Sequence, residues 1–132
     1  MFFISKQVDY ATQFLIALSH QPEGEFLSVK EFSKKRNISF LFLQKIVRRL
    51  RAAGFIDSAK GAFGGYVLKV DASAITLKNV VEAIEGEYHV AACMKVSHDC
   101  PIVQNCLSKN SLQKVQFDII SLLDRYTIQS MV

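Results

Sequence analysis

The chain has 132 residues, of which half are hydrophobic and 21% charged, and its formal net charge is +4. That length suits one domain with at most a short appendage, and it can bury about two thirds of its unfolded surface without cross-links. The composition excludes a disordered or fibrous protein, and charges interrupt every apolar stretch well short of the roughly 18 residues a membrane span needs. The opening MFFISKQVDY has no basic n-region and reaches Lys6 and Asp9 too early for a signal peptide. A soluble, cytoplasmic protein is expected.

The charge is unevenly placed. Residues 1–70 carry 11 Lys/Arg against 5 Asp/Glu, a net of +6, whereas residues 71–132 carry 5 against 7, a net of −2. A basic half joined to an acidic one suits a module that meets a polyanion with one end only. Scattered solvated charges give the same count.

From Lys6 to about His20, the residues Val8, Ala11, Phe14, Leu15 and Leu18 fall at helical spacing. Pro22 and Gly24 then break the chain. Ser28-Val29-Lys30-Glu31 has the form of a capping box and predicts a short helix over 29–36 that buries Val29 and Phe32. Asn37 suits the corner that follows, since asparagine tolerates the left-handed conformation. Ser39 is a candidate N-cap for a helix over 40–53 whose apolar face is Phe40, Leu43, Ile46, Val47 and Leu50. Its outer face presents Leu41, Gln44, Lys45, Arg48, Arg49 and Arg51, and Gly54 terminates it. Two short helices joined by about three residues, the second with a basic exposed face, make a helix-turn-helix.

Phe55–Ser58 and Tyr66–Val70 read as two strands around the glycine-rich loop 59–65, which is a wing in this position. Its glycines permit positive φ and close approach to another surface. Thr76 caps a further helix, 77–85, that ends at Gly86. Leu112, Val115, Ile119, Leu122, Leu123 and Tyr126 mark a long final helix. Phe117, Ile120 and Ile128 lie off that stripe, so the helix is apolar over more than one face and calls for a second surface, most naturally that of a second copy.

Cys93, Cys100 and Cys106 lie within 14 residues and the rest of the chain has no cysteine. An odd number without an export signal argues against a disulfide framework and for metal ligation or redox sensing.

The recognition-helix ending R-x-L-R-x-x-G-F-I, the wing K-G-x-x-G-G-Y-x-L and the cysteine triplet together resemble the Rrf-type winged-helix regulators, the family that includes IscR, NsrR and RirA. The resemblance spans essentially the whole chain. It implies a mainly α fold with a small β-hairpin wing: a winged helix-turn-helix DNA-binding domain (1–86), a cluster-binding loop (87–108) and a dimerisation helix (109–132). It also implies a homodimeric transcriptional regulator, read as a repressor, that binds double-stranded DNA at a palindromic operator. In many such proteins an iron–sulfur cluster reports iron, nitric oxide or redox state.

The DNA-contacting residues implied are Ser28, Ser39, Leu41, Phe42, Gln44, Lys45, Arg48, Arg49, Lys60 and Gly64, with core packing as the alternative for Phe42 and a solvated face for Lys45, Arg48 and Arg49. Gln44 stands where IscR carries a glutamate that filters operators. A glutamine pairs with adenine whereas a carboxylate accepts from cytosine, so operator preference should differ. Lys60 is the basic wing residue, placed for the minor groove or phosphate.

The spacing C-x6-C-x5-C has one residue more in its first gap than is usual among close relatives. Cys93, Cys100 and Cys106 leave one of four ligand positions open. The histidine that IscR uses is replaced by Lys109. By likeness to NsrR, Asp9 of the partner subunit's first helix is the metal ligand of choice; His98, water, a small thiol or nothing are the alternatives. His20 and His89 read as ordinary surface histidines.

An enzyme is disfavoured. His98 and Cys100 do not preset a nucleophile and base on a loop, and no phosphate loop or dinucleotide fingerprint is present. A zinc-bound transcription factor and a cluster-free thiol-redox sensor of the same fold remain open.

Overall fold

The structure, a computed structural model, describes residues 3–59, 65–94 and 100–132. Helix α1 spans Lys6–Ser19; it starts where the Ser5 hydroxyl accepts from the Val8 amide, and it buries the expected stripe from Val8 to Leu18. Helix α2, Val29–Arg36, opens in the same way, with the Ser28 hydroxyl accepting from the Glu31 amide at 3.3 Å. Of the capping box expected there, the serine half forms. Among the described residues the reciprocal pair is found instead at Thr76 and Asn79, at the start of helix α4, Leu77–Glu85.

Asn37 takes the left-handed conformation, φ 55 and ψ 42, and turns the chain into helix α3, Phe40–Ala52. Helix α3 ends at Gly54, whose φ is 85. The Gly54 and Phe55 amides donate to the carbonyls of Arg51 and Leu50, closing the helix end in the paired manner that a left-handed glycine permits. Leu43, Ile46, Val47 and Leu50 are buried as expected. Phe40 is not: it stands 39% exposed at the edge of the stripe.

The wing is formed by β1, Ile56–Ala59, and β2, Gly65–Leu68, antiparallel, with Ile56 opposite Leu68 and Ala59 opposite Gly65. A third member joins it that sequence patterning does not reveal. Leu27 exchanges both backbone hydrogen bonds with Tyr66, at 3.0 and 2.9 Å, which ties the wing to the residue before the cap of α2. A Cβ at position 65 would lie 2.8 Å from the Leu27 carbonyl oxygen, so glycine is what lets the two backbones meet.

Helix α5, Lys109–Arg125, is about 25 Å long at 1.5 Å per residue. It stops one residue before Tyr126, and the chain folds back. The Tyr126 carbonyl accepts from the Leu77 amide, and the Ile128 amide donates to Ile75. Ile128, expected on an outer face of a helix, is fully buried in the same core as Leu123, Val80 and Phe14. That core therefore crosses the boundary expected at residue 109. By contrast Val115, Phe117, Leu122 and Tyr126 are exposed, and Leu123 is the buried residue of α5. Among the described residues no helix is long and apolar enough to cross a membrane.

His20 is exposed, as expected, but His89 is not a surface residue. Its side chain is 11% exposed; Nε2 lies 3.7 Å from the Glu87 carboxylate and Nδ1 is buried with no hydrogen-bond partner among the described residues. It lies in a cavity with Phe3, Glu85, Tyr88, Val115 and Ile119, which α5 helps to form. Ile128→Ala should cost about 2–5 kcal/mol in urea unfolding, the range for truncating a fully buried aliphatic side chain. A loss below about 0.5 kcal/mol would mean that the tail is not docked.

Candidate nucleic-acid interface and cysteine cavity

Helix phase sorts the candidate DNA-contacting side chains of α3. Leu41, Lys45 and Arg48, at i, i+4 and i+7, share the outermost face and are exposed. Gln44 lies beside them, half-buried. With Phe40 and Arg48 it lines a groove of about 340 Å³ whose opposite walls are Ser28, Lys30 and Tyr66. The groove thus joins α3, the start of α2 and the wing. Ser28 and Ser39 sit at its helix starts, where each hydroxyl is engaged as a cap, to Glu31 and to Phe42 respectively. Lys60 and Gly64 of the wing, like His98, lie outside the described residues.

Phe42 and Arg49, seven residues apart, form the flank that faces α1. The Phe42 ring meets Tyr10 edge-on, with centroids 5.8 Å apart, so it takes the core-side role. Arg49 is turned away from the basic face. Its guanidinium donates to Oε1 of Gln7 at 3.3 Å and to the backbone carbonyl of Ile84, in the last turn of α4. There a cation meets the negative end of a helix and satisfies a carbonyl that has no partner within that helix. Lys30, Phe40 and Tyr66 join this surface without having been expected on it. The clue for Lys30 is its place two residues after a capping serine.

The three cysteines come together. Cys93 lies in the 3₁₀ turn Ala92–Met94, Cys100 precedes the 3₁₀ turn Val103–Asn105, and Cys106 follows it. All three line one cavity of about 470 Å³ against α5, with Leu112, Phe117 and Ile120 on its apolar side and Lys109 at its polar side. The thiols are free. A hydrogen bond holds the segment to the helix, the Val90 amide donating to the Gln116 side chain at 3.0 Å. The hydroxyl of Ser108, 3.6 Å from Cys106 Sγ, holds that thiol below its usual pKa; the Ser108 and Lys109 backbones and the Lys109 charge act in the same direction. A lowered pKa favours the thiolate, which is the metal-binding and nucleophilic form.

Asp9 is not in this cavity. It stands on the exposed side of α1, its carboxylate accepting from Gln13 Nε2 at 3.1 Å. Among the described residues no three His, Cys, Asp or Glu side chains are gathered closely enough to form a metal site within one protomer.

The division of the two neighbouring arginines is testable. Arg49→Ala should lower stability by about 1 kcal/mol in urea unfolding, the size of a cation's interaction with a helix end. Arg48→Ala should leave it within about 0.5 kcal/mol, as exposed substitutions do. Equal effects would contradict the assignment.

Comparison with known proteins fits this geometry. A family model described as Rrf2, iron-dependent transcriptional regulator, matches residues 4–132. Protein aau3 of Rhizobium meliloti (strain 1021) is 34% identical over 131 residues, covering 98% of this chain and 84% of that protein. The HTH-type transcriptional regulator NsrR of Bacillus subtilis (strain 168) is 27% identical over 130 residues, covering 98% and 89%. The solved structure of CymR (YrzC), the global cysteine regulator of B. subtilis, superposes with a TM-score of 0.78 at 26% identity, covering 99% of this chain and 96% of that one. The chain belongs to the Rrf2 family of transcriptional regulators, and its winged helix is a DNA-binding fold.

Proposed function

We propose that the protein is a homodimeric repressor whose binding to a palindromic operator is switched by an iron–sulfur cluster held by Cys93, Cys100 and Cys106. The observation that carries this reading is the convergence of all three thiols on one cavity, in a chain whose α3 presents Lys45 and Arg48 to solvent. The donor set fits the group: three soft thiol ligands, one of them biased toward thiolate, beside the apolar side chains of Leu112, Phe117 and Ile120. When bound, the cluster supplies an iron centre sensitive to nitric oxide, oxygen and iron supply.

The fourth position falls to Asp9 of the partner subunit. Within its own protomer this carboxylate faces solvent and lies outside the cysteine cavity, so it is free to be shared across a dimer. Lys109 takes no part as a ligand; its positive charge offsets that of the thiolates. The second copy docks on the exposed apolar surface of α5, centred on Phe117, which is 71% exposed; Val115 and Leu122, on another face of the helix, are partly exposed as well.

CymR is described as a global cysteine regulator, and one observation favours a second reading. The three thiols are free, and that of Cys106 is biased toward the reactive thiolate, as suits a cluster-free thiol-redox sensor. Protein purified without oxygen decides between them. A visible charge-transfer band that disappears in each Cys→Ser variant, with the dimer still folded, supports the cluster. Colourless wild-type protein that also carries no zinc supports the thiol sensor, and colourless protein with bound zinc supports a zinc-bound regulator. Asp9→Ala should keep the band but change its decay in air and the ratio of holo to apo operator affinity. Matching wild type in both rejects the trans ligand.

For the DNA side, Arg48→Ala should weaken binding to every duplex and make the salt dependence shallower by about one unit, as expected when one phosphate is no longer neutralised. Unchanged affinity and slope would make the basic face a merely solvated one. For assembly, Phe117→Glu should give a monomer in sedimentation; a persistent dimer would place the interface elsewhere.

A further inference from the structure

We propose that Leu41 reads the C5-methyl group of a thymine in the operator's major groove, beside the base that Gln44 contacts. This deepens the DNA-binding reading and rests on it.

Leu41 is the second residue of α3 and is 71% exposed, with Phe40 beside it also open to solvent. The helix does not need Leu41 for packing, since Leu43, Ile46, Val47 and Leu50 fill its side of the core at 2% exposure or less. One exposed leucine is ordinary on a protein surface. What gives this one a meaning is its position. It lies on the first turn of the second helix of a helix-turn-helix, the turn whose side chains meet base edges. It shares a face with Lys45 and Arg48 and stands three residues before Gln44.

Charge complementarity identifies the occupant. Lys45 and Arg48 continue this face along the helix, and Lys30 lines the adjoining groove with Phe40 and Gln44; all three cations are exposed, so the surface that carries Leu41 is the one a phosphate backbone would approach. An apolar side chain on a major-groove edge has one apolar partner among the four bases, the methyl group of thymine. A leucine there can donate and accept nothing. It therefore discriminates through burial alone, while Gln44, with one acceptor and two donors on its amide, can address adenine. The half-site should accordingly contain thymine next to the position specified by Gln44.

The test begins with operator selection from random duplexes by the wild-type protein. Each thymine of one selected half-site is then replaced singly by deoxyuridine, which lacks only the methyl group, and affinities are read by fluorescence anisotropy. One replacement should weaken wild-type binding about fourfold, the equivalent of burying one methyl at about 0.8 kcal/mol. Leu41→Ala, which removes no buried contact and should keep the wild-type melting temperature, should bind the two duplexes equally.

If no thymine of the half-site is sensitive, or if Leu41→Ala keeps the full fourfold difference, methyl reading by Leu41 is wrong while DNA binding stands. If the difference disappears in Phe40→Ala but not in Leu41→Ala, the reader is Phe40 and the proposal fails. If selection enriches no duplex and binding shows no salt dependence, the DNA-binding reading falls and this one with it.

Discussion

One aromatic ring fixes the geometry of the reading head. Phe14, fully buried in α1, meets Phe32 of α2 edge-on at 5.3 Å and 84°, and Tyr66 of β2 at 6.3 Å and 74°. The supporting helix, the first helix of the helix-turn-helix and the wing thus share one contact point. Edge-on aromatic pairs contribute about 0.5–1.5 kcal/mol each beyond their buried area, and they fix orientation as well as distance. Tyr66 is held twice, by Phe14 through its ring and by Leu27 through its backbone. Because Leu27 directly precedes the cap of α2, wing and helix cannot be re-aimed independently. The close approach that Gly65 permits is the other half of that constraint.

Much of this is legible in the sequence because it rests on short-range signals. The stripes of α1 and α3, the capping serines, Asn37 and Gly54 all act within one or two turns of chain. What escapes reading depends on partners far away along the chain. Leu27 forms a one-residue bridge, too short to leave a period. Ile128 continues an apolar pattern that extends past the true helix end, and its place is decided by backbone pairing of the tail with Ile75 and Leu77. His89 follows α4 in a stretch without pattern, and α5 buries it from a distance of many residues. Phe40 fits the apolar stripe by spacing, yet it falls on the edge that opens to the groove.

Charge is the least reliable guide to contact. Arg48 and Arg49 are adjacent and chemically identical, and by sequence both belong on DNA. One residue is about 100° of helix, enough to place them on different faces. Arg48 lines the groove, while Arg49 closes the end of α4 and bonds to Gln7 of α1. The net charge of the N-terminal half therefore overstates the charge available to a polyanion. One of its arginines serves to hold the recognition helix on the two helices behind it.

That arrangement also bears on how the cysteines and the reading head are joined within a protomer. Arg49 anchors α3 to the Ile84 carbonyl, and the chain runs on from Ile84 through His89 and Val90 to Cys93. Val90 is bonded to Gln116 of α5, and Gln116 itself lines the cysteine cavity. Phe117 lies on the same wall yet remains 71% exposed, so the helix that shapes the thiol cavity also carries the uncovered apolar surface. The cysteine cavity, the exposed surface of α5 and the seat of α3 are thereby joined by a run of contacts through α4 and the segment after it. The thiols and the exposed Phe117 ring meet on one and the same helix.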